Sequence, residues 1–265
     1  MGRWDVTGAS TTVKPAPTVP LLSPPALAAD FRYAGSLCGV EQESFLAALE
    51  PAEQAALRER GTVRRFARGA ALFHEQTVPS SVSIVLDGRV KLTRVTGDGR
   101  DVLLAIRGPG DVLGEQSALD GQPRSATAVA LEPVEALNVT ADDFVSFVAR
   151  TPSAAAYMMR LLSARLRDAD DKRVEFAAQD TLGRVAARLV ELGERYGAEH
   201  SDGDGDAAAL RIDLAITQED LAAWTGTSRE GVSRALQTLR SLKWVETGRR
   251  SIVILDLDAL RGRST

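Results

Sequence analysis

The chain is short of the residues on which much protein chemistry depends. Of its 265 residues one is cysteine, Cys38, and two are histidine, His74 and His200. A single thiol excludes an internal disulfide and any zinc or iron–sulfur site built from several cysteines of this chain. No apolar run approaches the roughly 20 residues that a membrane-spanning helix needs. The opening stretch, MGRWDVTGASTTVKPAP, lacks a charged segment followed by an apolar one, so the expected location is the cytoplasm. Signatures of catalysis are missing as well: no Ser-His-Asp order, no Gly-x-x-x-x-Gly-Lys and no His-Glu-x-x-His. The expectation is a protein that is not an enzyme.

Positive charge is also scarce overall, with 32 Lys and Arg against 36 Asp and Glu and a net charge of −4. Taken alone this argues against a nucleic-acid partner. The distribution reverses the argument. Between positions 221 and 250 the cations Arg229, Arg234, Arg240, Lys243, Arg249 and Arg250 face only Glu230 and Glu246. A local basic footprint of this kind is what a DNA-binding surface requires.

Residues 1–35 are rich in Pro, Ser, Thr and Ala without periodicity and read as a disordered tail. Helices are expected from Glu43 and again from Pro51, the second stopped at Gly61. From about position 62 to 139 the pattern becomes that of strands. Val82, Ile84 and Leu86 alternate up to an Asp87-Gly88 turn, and Val90 and Leu92 continue the alternation. Thr96-Gly-Asp-Gly99 makes a hairpin, Val102, Leu104 and Ile106 form the returning face, and residues 126–131 and 134–139 add further strands. Short strands at regular spacing with glycine turns predict a jelly roll or barrel. After Pro152 comes a long helix in which Ala155, Met159, Leu162, Leu166, Ala169, Arg173 and Phe176 recur at alternating spacings of four and three. That is the seam of a two-stranded coiled coil, although one amphipathic helix packed on its own domain also shows such spacing. A further helix runs from an Asp180 cap to Tyr196, and residues 201–206 read as an acidic surface loop that also takes in His200.

Thr217 suits the cap of a helix reading QEDLAAWT, whose Glu219 and Asp220 complement a positive first turn. Gly226 supplies the left-handed backbone of a sharp turn. Ser228 then caps a second helix, REGVSRALQTLRSL, with Val232, Leu236 and Leu239 as its buried stripe and Ala222 small where the two helices cross. Two strands follow, around 244–246 and 251–255, joined by Thr247-Gly-Arg-Arg250. This is the pattern of a winged helix-turn-helix. Arg229, Glu230, Ser233 and Arg234 fall on the outward, N-terminal part of the second helix, where base edges are read. An Arg fork suits guanine O6 and N7, and a Glu accepts from cytosine N4. Gln218, Ser228, Arg249 and Arg250 are placed for phosphates, which fix register without specifying sequence.

The string ITQEDLAAWTGTSREGVSRAL, preceded in order by ALFHEQ, VLDGRVKL and GPGDVLGEQSALDGQPRSATAVA, resembles the Crp/Fnr family of bacterial regulators over roughly residues 45–260. The resemblance implies an α+β chain with three parts behind the tail. These are a cyclic-nucleotide-binding-type β jelly roll over 36–152, a dimerisation helix over 153–179 and a winged helix-turn-helix DNA-binding domain over 180–265. It further implies a homodimer on a palindromic double-stranded DNA operator, and contact with RNA polymerase. Arg229, Glu230 and Arg234 match the members that read TGTGA-type half-sites.

Gly114, Glu115, Arg124, Ser125 and Ala126 look like the family's phosphate-binding cassette. In that cassette Gly114 lets backbone approach the ligand, Glu115 accepts a ribose hydroxyl, Arg124 forks onto a cyclic phosphate, and Ser125 with the Ala126 amide completes the anion site. An Arg and a Glu in one loop also make an ordinary surface salt bridge. The positions at which the family's cyclic-AMP receptors set Thr and Ser against adenine correspond to Ala169 and Asp170. Ala169 has no hydroxyl, and a carboxylate at Asp170 suits the N1–H and N2–H₂ of guanine. Cyclic AMP, cyclic GMP, another nucleotide and a ligand-independent regulator therefore all stay open. A haem-sensing branch of the family would need a second strong ligand beside His74, and an oxygen-sensing branch a cysteine cluster that Cys38 alone cannot supply.

Overall fold

The computed structural model describes residues 44–200, 209–214, 216–248 and 251–264. The expected tail, the helix start at Glu43, Cys38, the loop 201–206 and the wing-tip pair Arg249 and Arg250 lie outside the described residues. Helix α1 (Pro51–Glu59) begins with proline and a reciprocal cap between Glu50 and Glu53. Two antiparallel sheets follow. One has the order β1 (Gly61–Phe66), β8 (Val134–Thr140), β3 (Ser81–Asp87), β6 (Val112–Leu113). The other has the order β2 (Ala71–Phe73), β7 (Thr127–Ala130), β4 (Val90–Val95), β5 (Asp101–Arg107). Val85, Leu113 and Ala136 of the first sheet meet Val90, Ala128 and Ala130 of the second in one buried layer, which is the jelly-roll arrangement. Gly88 turns β3 into β4 at φ +80°, where a Cβ would stand 2.3 Å from the Pro133 carbonyl oxygen.

The returning strand differs from its expected face. On β5 it is Leu103, Ala105 and Ile106 that are buried, and Leu104 is 40% exposed. The pairing of β4 with β5 slips between Leu92 and Thr93, which resets the alternation. The outer side of β5 is also covered: Leu103 and Ile106, with Leu131, share a core with residues beyond position 180.

Helix α2 (Glu115–Asp120) leaves β6, and α3 (Ala141–Arg150) leads through Thr151 into α4 (Pro152–Ala178). With 27 residues α4 is about 40 Å long. Its first turns bury Ala154, Tyr157, Met158 and Leu161 among Phe45, Phe144 and the first sheet. Two expected seam residues, Met159 at 66% and Leu166 at 63%, remain exposed within the chain. Phe176, also expected on the seam, packs its ring against Gly226. The expected helix after Asp180 is α5 (Thr181–Tyr196), with the Asp180 carboxylate accepting from the Gly183 amide at 2.8 Å.

A third sheet, ordered β11 (Val245–Gly248), β12 (Ser251–Ile254), β10 (Ala209–Ile212), β9 (Ala198–His200), backs helices α6 (Gln218–Thr225) and α7 (Arg229–Ser241). Strands β9 and β10 were not expected. His200, read as part of a loop, pairs with Ala209. Helix α8 (Leu257–Arg263) was not expected either, and it buries Leu260 completely. Among the described residues no helix is long and apolar enough to cross a membrane.

Candidate DNA-reading surface and effector cleft

The helix-turn-helix is assembled by caps that the local sequence dictates. Thr217 accepts from the Asp220 amide at 3.0 Å while Asp220 reaches back to the Thr217 amide at 3.0 Å, a reciprocal box that closes the start of α6. Ser228 accepts from the Gly231 amide at 3.1 Å and starts α7. Leu221, Ala222 and Trp224 of α6 pack on Val232, Ala235, Leu236 and Leu239 of α7. With that stripe buried, Arg229, Glu230, Ser233 and Arg234 all lie exposed on the opposite side of α7. The Glu230 amide and the Ser228 hydroxyl, helped by Arg229 and Arg234, hold the Glu230 carboxyl below the usual range. It therefore stands as an acceptor. Gln218 is exposed on the first turn of α6. The Ser228 side chain is engaged as the cap, and the β11–β12 connection holds Arg249 and Arg250, which the described residues leave out.

Between the two helices Gly226 takes φ +60°, and a Cβ there would meet Phe176 Cε1 at 2.8 Å. The end of α4 thus touches the turn of the helix-turn-helix. Gly226→Ala should lose about 1–2 kcal/mol from left-handed strain alone, with a further loss from displacing the ring. Denaturant unfolding checks this, and a loss below 0.5 kcal/mol would contradict the packing described.

The reading head also docks on the β-roll of its own chain. Lys91 of β4 donates to Asp220 at 2.6 Å, Arg89 donates to the Asp213 carbonyl at 3.1 Å, and the Tyr196 hydroxyl donates to the Ile106 carbonyl at 3.1 Å. Burial alone would raise the Asp220 carboxyl, but the hydrogen bonds from Lys91 and Thr217 outweigh it and hold the group below its ordinary value. Burial pushes the Tyr196 phenol up to about 12, so it serves as a donor throughout the working pH range.

On the roll, a cleft is lined by Phe73, Leu92, Leu113, Gly114, Glu115, Ser117, Arg124, Ser125, Ala126 and Arg165. Its free cavity is about 40 Å³, and about 330 Å³ when the open mouth is counted. Gly114 caps α2 with φ +78°, and a Cβ on it would stand 2.2 Å from Arg124 Nη1. Arg124 is only 2% exposed. It donates to the Gly114 carbonyl at 2.6 Å and to the Ser81 carbonyl, and its guanidinium lies 4.5 Å from the centre of the Phe73 ring. Burial lowers its pKa, against the pull of Glu115. Glu115, also 2% exposed, is paired with Arg165 of α4.

Five of the seven expected cleft residues are therefore gathered in one place. Ala169 and Asp170 are not among the lining residues; both are exposed on α4, and Asp170 pairs with Arg173 at 3.0 Å. Arg165, which sequence reasoning passed over, is the residue α4 does contribute. Its only signal was a cation one helical turn before Ala169. His74 is exposed, and the described residues hold no cluster of three or more His, Cys, Asp or Glu suited to a metal.

Residues 63–151 match the family profile described as cyclic nucleotide-binding domain, and residues 183–263 that described as Crp-like helix-turn-helix domain. The CRP-like cAMP-activated global transcriptional regulator of Mycobacterium tuberculosis is 33% identical over 216 residues, spanning 82% of this chain and 94% of that one. The cyclic AMP receptor protein of Thermus thermophilus is 34% identical over 176 residues, spanning 66% and 76%. In fold the chain is similar to FixK2 from Bradyrhizobium japonicum, with a TM-score of 0.66 at 23% identity over 77% of this chain and 98% of that one.

Proposed function

The chain belongs to the Crp/Fnr family of transcription regulators, and from that premise we propose that it works as a homodimer that reads a palindromic DNA operator under the control of a small anionic ligand. One observation carries the DNA reading. Arg229, Glu230, Ser233 and Arg234 form a single exposed patch at the capped start of a helix whose other side is locked into a core. A helix end so presented fits the major groove. In this reading Arg229 and Arg234 fork onto guanines, Glu230 accepts from cytosine, and the half-sites are of the TGTGA type. Gln218, Ser228, Arg249 and Arg250 hold phosphates. The exposed Met159 and Leu166 on α4 support pairing of the long helices as the dimer contact, and RNA polymerase is the expected further partner. The divisions 36–152, 153–179 and 180–265 then correspond to sensing, pairing and reading.

The cleft fits an anion by an independent criterion. Arg124 Nε and Arg165 Nε are buried donors without an acceptor among the described residues, and both side chains line the cleft. A bound phosphate supplies the acceptors they lack, while Glu115 is placed to accept a sugar hydroxyl. The Mycobacterium tuberculosis relative is named as cAMP-activated, which makes cyclic AMP the first ligand to try. Cyclic GMP is the second to try, although Asp170, whose carboxylate would match the guanine edge, stands outside the cleft lining of its own chain and pairs with Arg173. A ligand-independent regulator is the second reading, favoured by the engagement of Glu115 with Arg165 and of both Arg124 Nη groups with carbonyls.

Calorimetric titration of cyclic AMP and cyclic GMP separates the two readings. Binding heat with one of them, lost in Arg124→Ala, is the expected result, together with tighter binding of a selected oligonucleotide when that nucleotide is present. Full-strength operator binding by the protein alone, with no heat from either nucleotide, supports the second reading instead.

A further inference from the structure

The link between sensing and reading is only two residues long. Gln179 and Asp180 are both extended, with ψ 147° and 177°, and they interrupt what would otherwise be one continuous rod of α4 and α5. Such a break is a natural hinge, because two soft backbone positions decide the angle between long helices. Arg184 grips it from one side, donating back to the Gln179 carbonyl at 2.6 Å and across to the Thr225 carbonyl at 2.8 Å.

The other side is held from about 85 residues away in sequence. Arg263, at the end of α8, straddles the Asp180 carboxylate, with Nη2 at 2.6 Å from Oδ1 and 2.5 Å from Oδ2. The Gln179 side-chain amide donates to the carbonyl of Ser264. Asp180 is at the same time the cap of α5, and the Gly183 amide and Arg263 together hold its carboxyl below the ordinary value. Room for this crossing exists because position 183 is glycine: a Cβ there would lie 3.1 Å from Arg263 Nη1 and 3.3 Å from the Arg263 carbonyl oxygen. Helix α8 is itself anchored on α5, through Arg261 to Glu194 at 2.8 Å and through the buried Leu260.

We propose that α8 is a latch on the interdomain hinge, in which Arg263 and the Ser264 carbonyl fix Gln179 and Asp180 and so set the angle at which α4 presents the reading head. Arg263 is a positioning residue here, acting through Asp180 and touching no DNA. The proposal goes beyond the DNA-reading function and rests on that reading only for the operator-affinity arm of its test.

Hydrogen exchange of the full chain tests the latch without DNA. Arg263→Ala should speed exchange of the amides in 179–184 by at least about ten-fold, equivalent to about 1.4 kcal/mol, while amides in the core of α5 and in the β-roll keep their protection. Arg263→Lys, which keeps the charge on a shorter side chain, should fall between the two and guards against loss of folding in the alanine variant. Specific operator affinity in Arg263→Ala should weaken about five-fold or more with an unchanged slope of log affinity against log salt. Unchanged exchange at 179–184 overturns the proposal even if operator affinity falls. A salt slope reduced by about one also overturns it, since Arg263 would then be a phosphate contact. If exchange responds as expected and the wild type binds no operator, the latch stands and the DNA reading fails.

Discussion

Arg229→Ala and Arg234→Ala should each remove roughly 1–3 kcal/mol of discrimination between the cognate operator and random DNA. Neither should alter stability by more than about 0.5 kcal/mol. The contrast follows from placement. Both side chains are exposed on α7 and, among the described residues, make no hydrogen bond that holds the helix, which is fixed instead by Ser228 and by the buried Val232, Ala235, Leu236 and Leu239. Because the two arginines are five positions apart they would read different base pairs, and the losses should add to within about 0.5 kcal/mol. Competition binding with selected and scrambled oligonucleotides at fixed salt provides the measurement. Both single variants retaining the wild-type preference would remove the base-reading role from α7.

The second large effect lies in the cleft. Arg165→Ala leaves Glu115, 2% exposed, as a buried carboxylate without its partner, and breaking such a pair costs about 3–5 kcal/mol. Adding Glu115→Gln removes the stranded charge, so the double variant should regain most of that loss, and the cycle should yield a coupling of more than about 1 kcal/mol. A surface salt bridge would instead give about 0–1 kcal/mol. Thermal or denaturant unfolding of the four proteins decides between them. The expected result also separates stability from ligand binding. Arg124→Ala tests the anion contact, whereas the Arg165 and Glu115 cycle tests how α4 is fastened to the cassette.

What could be read in advance was whatever depends on neighbours in sequence. The caps Thr217, Ser228 and Asp180 each act within three residues of themselves, and Gly226 declares its turn through its own backbone. That Glu115 and Arg124 would share one cleft was legible because they sit in one short stretch. Arg165 was not, since its partner is 50 residues away and an arginine on a polar helix carries no mark of what it faces. Periodicity along α4 singled out a helix with an apolar stripe but could not assign its clients. Tyr157 and Leu161 belong to the β-roll core, Met159 and Leu166 stay exposed, and Phe176 meets the turn of the reading head. Strand β9 has three residues and helix α8 seven, too short for a repeat to register. On β5 Ile106 is buried as expected, and the replacement of Val102 and Leu104 by Leu103 and Ala105 came from a slip in pairing and from a second covering layer, neither of which a strand announces by itself.

That second layer bears on how such a protein can change over generations. Leu103, Ile106 and Leu131 complete a core whose other members come from α5, β10 and the turn after it, α6, α7, the wing and α8, so the β-roll owns part of the reading head's interior. Sensor and reader are consequently not freely exchangeable modules. A head borrowed from a relative would arrive shaped for different residues at 103, 106 and 131, and a graft that ignored them would bare an oily strip on β5. Descent can shuffle the recognition residues on α7 one at a time and so retarget the protein. The seam at β5 has to be inherited whole or rebuilt on both sides together.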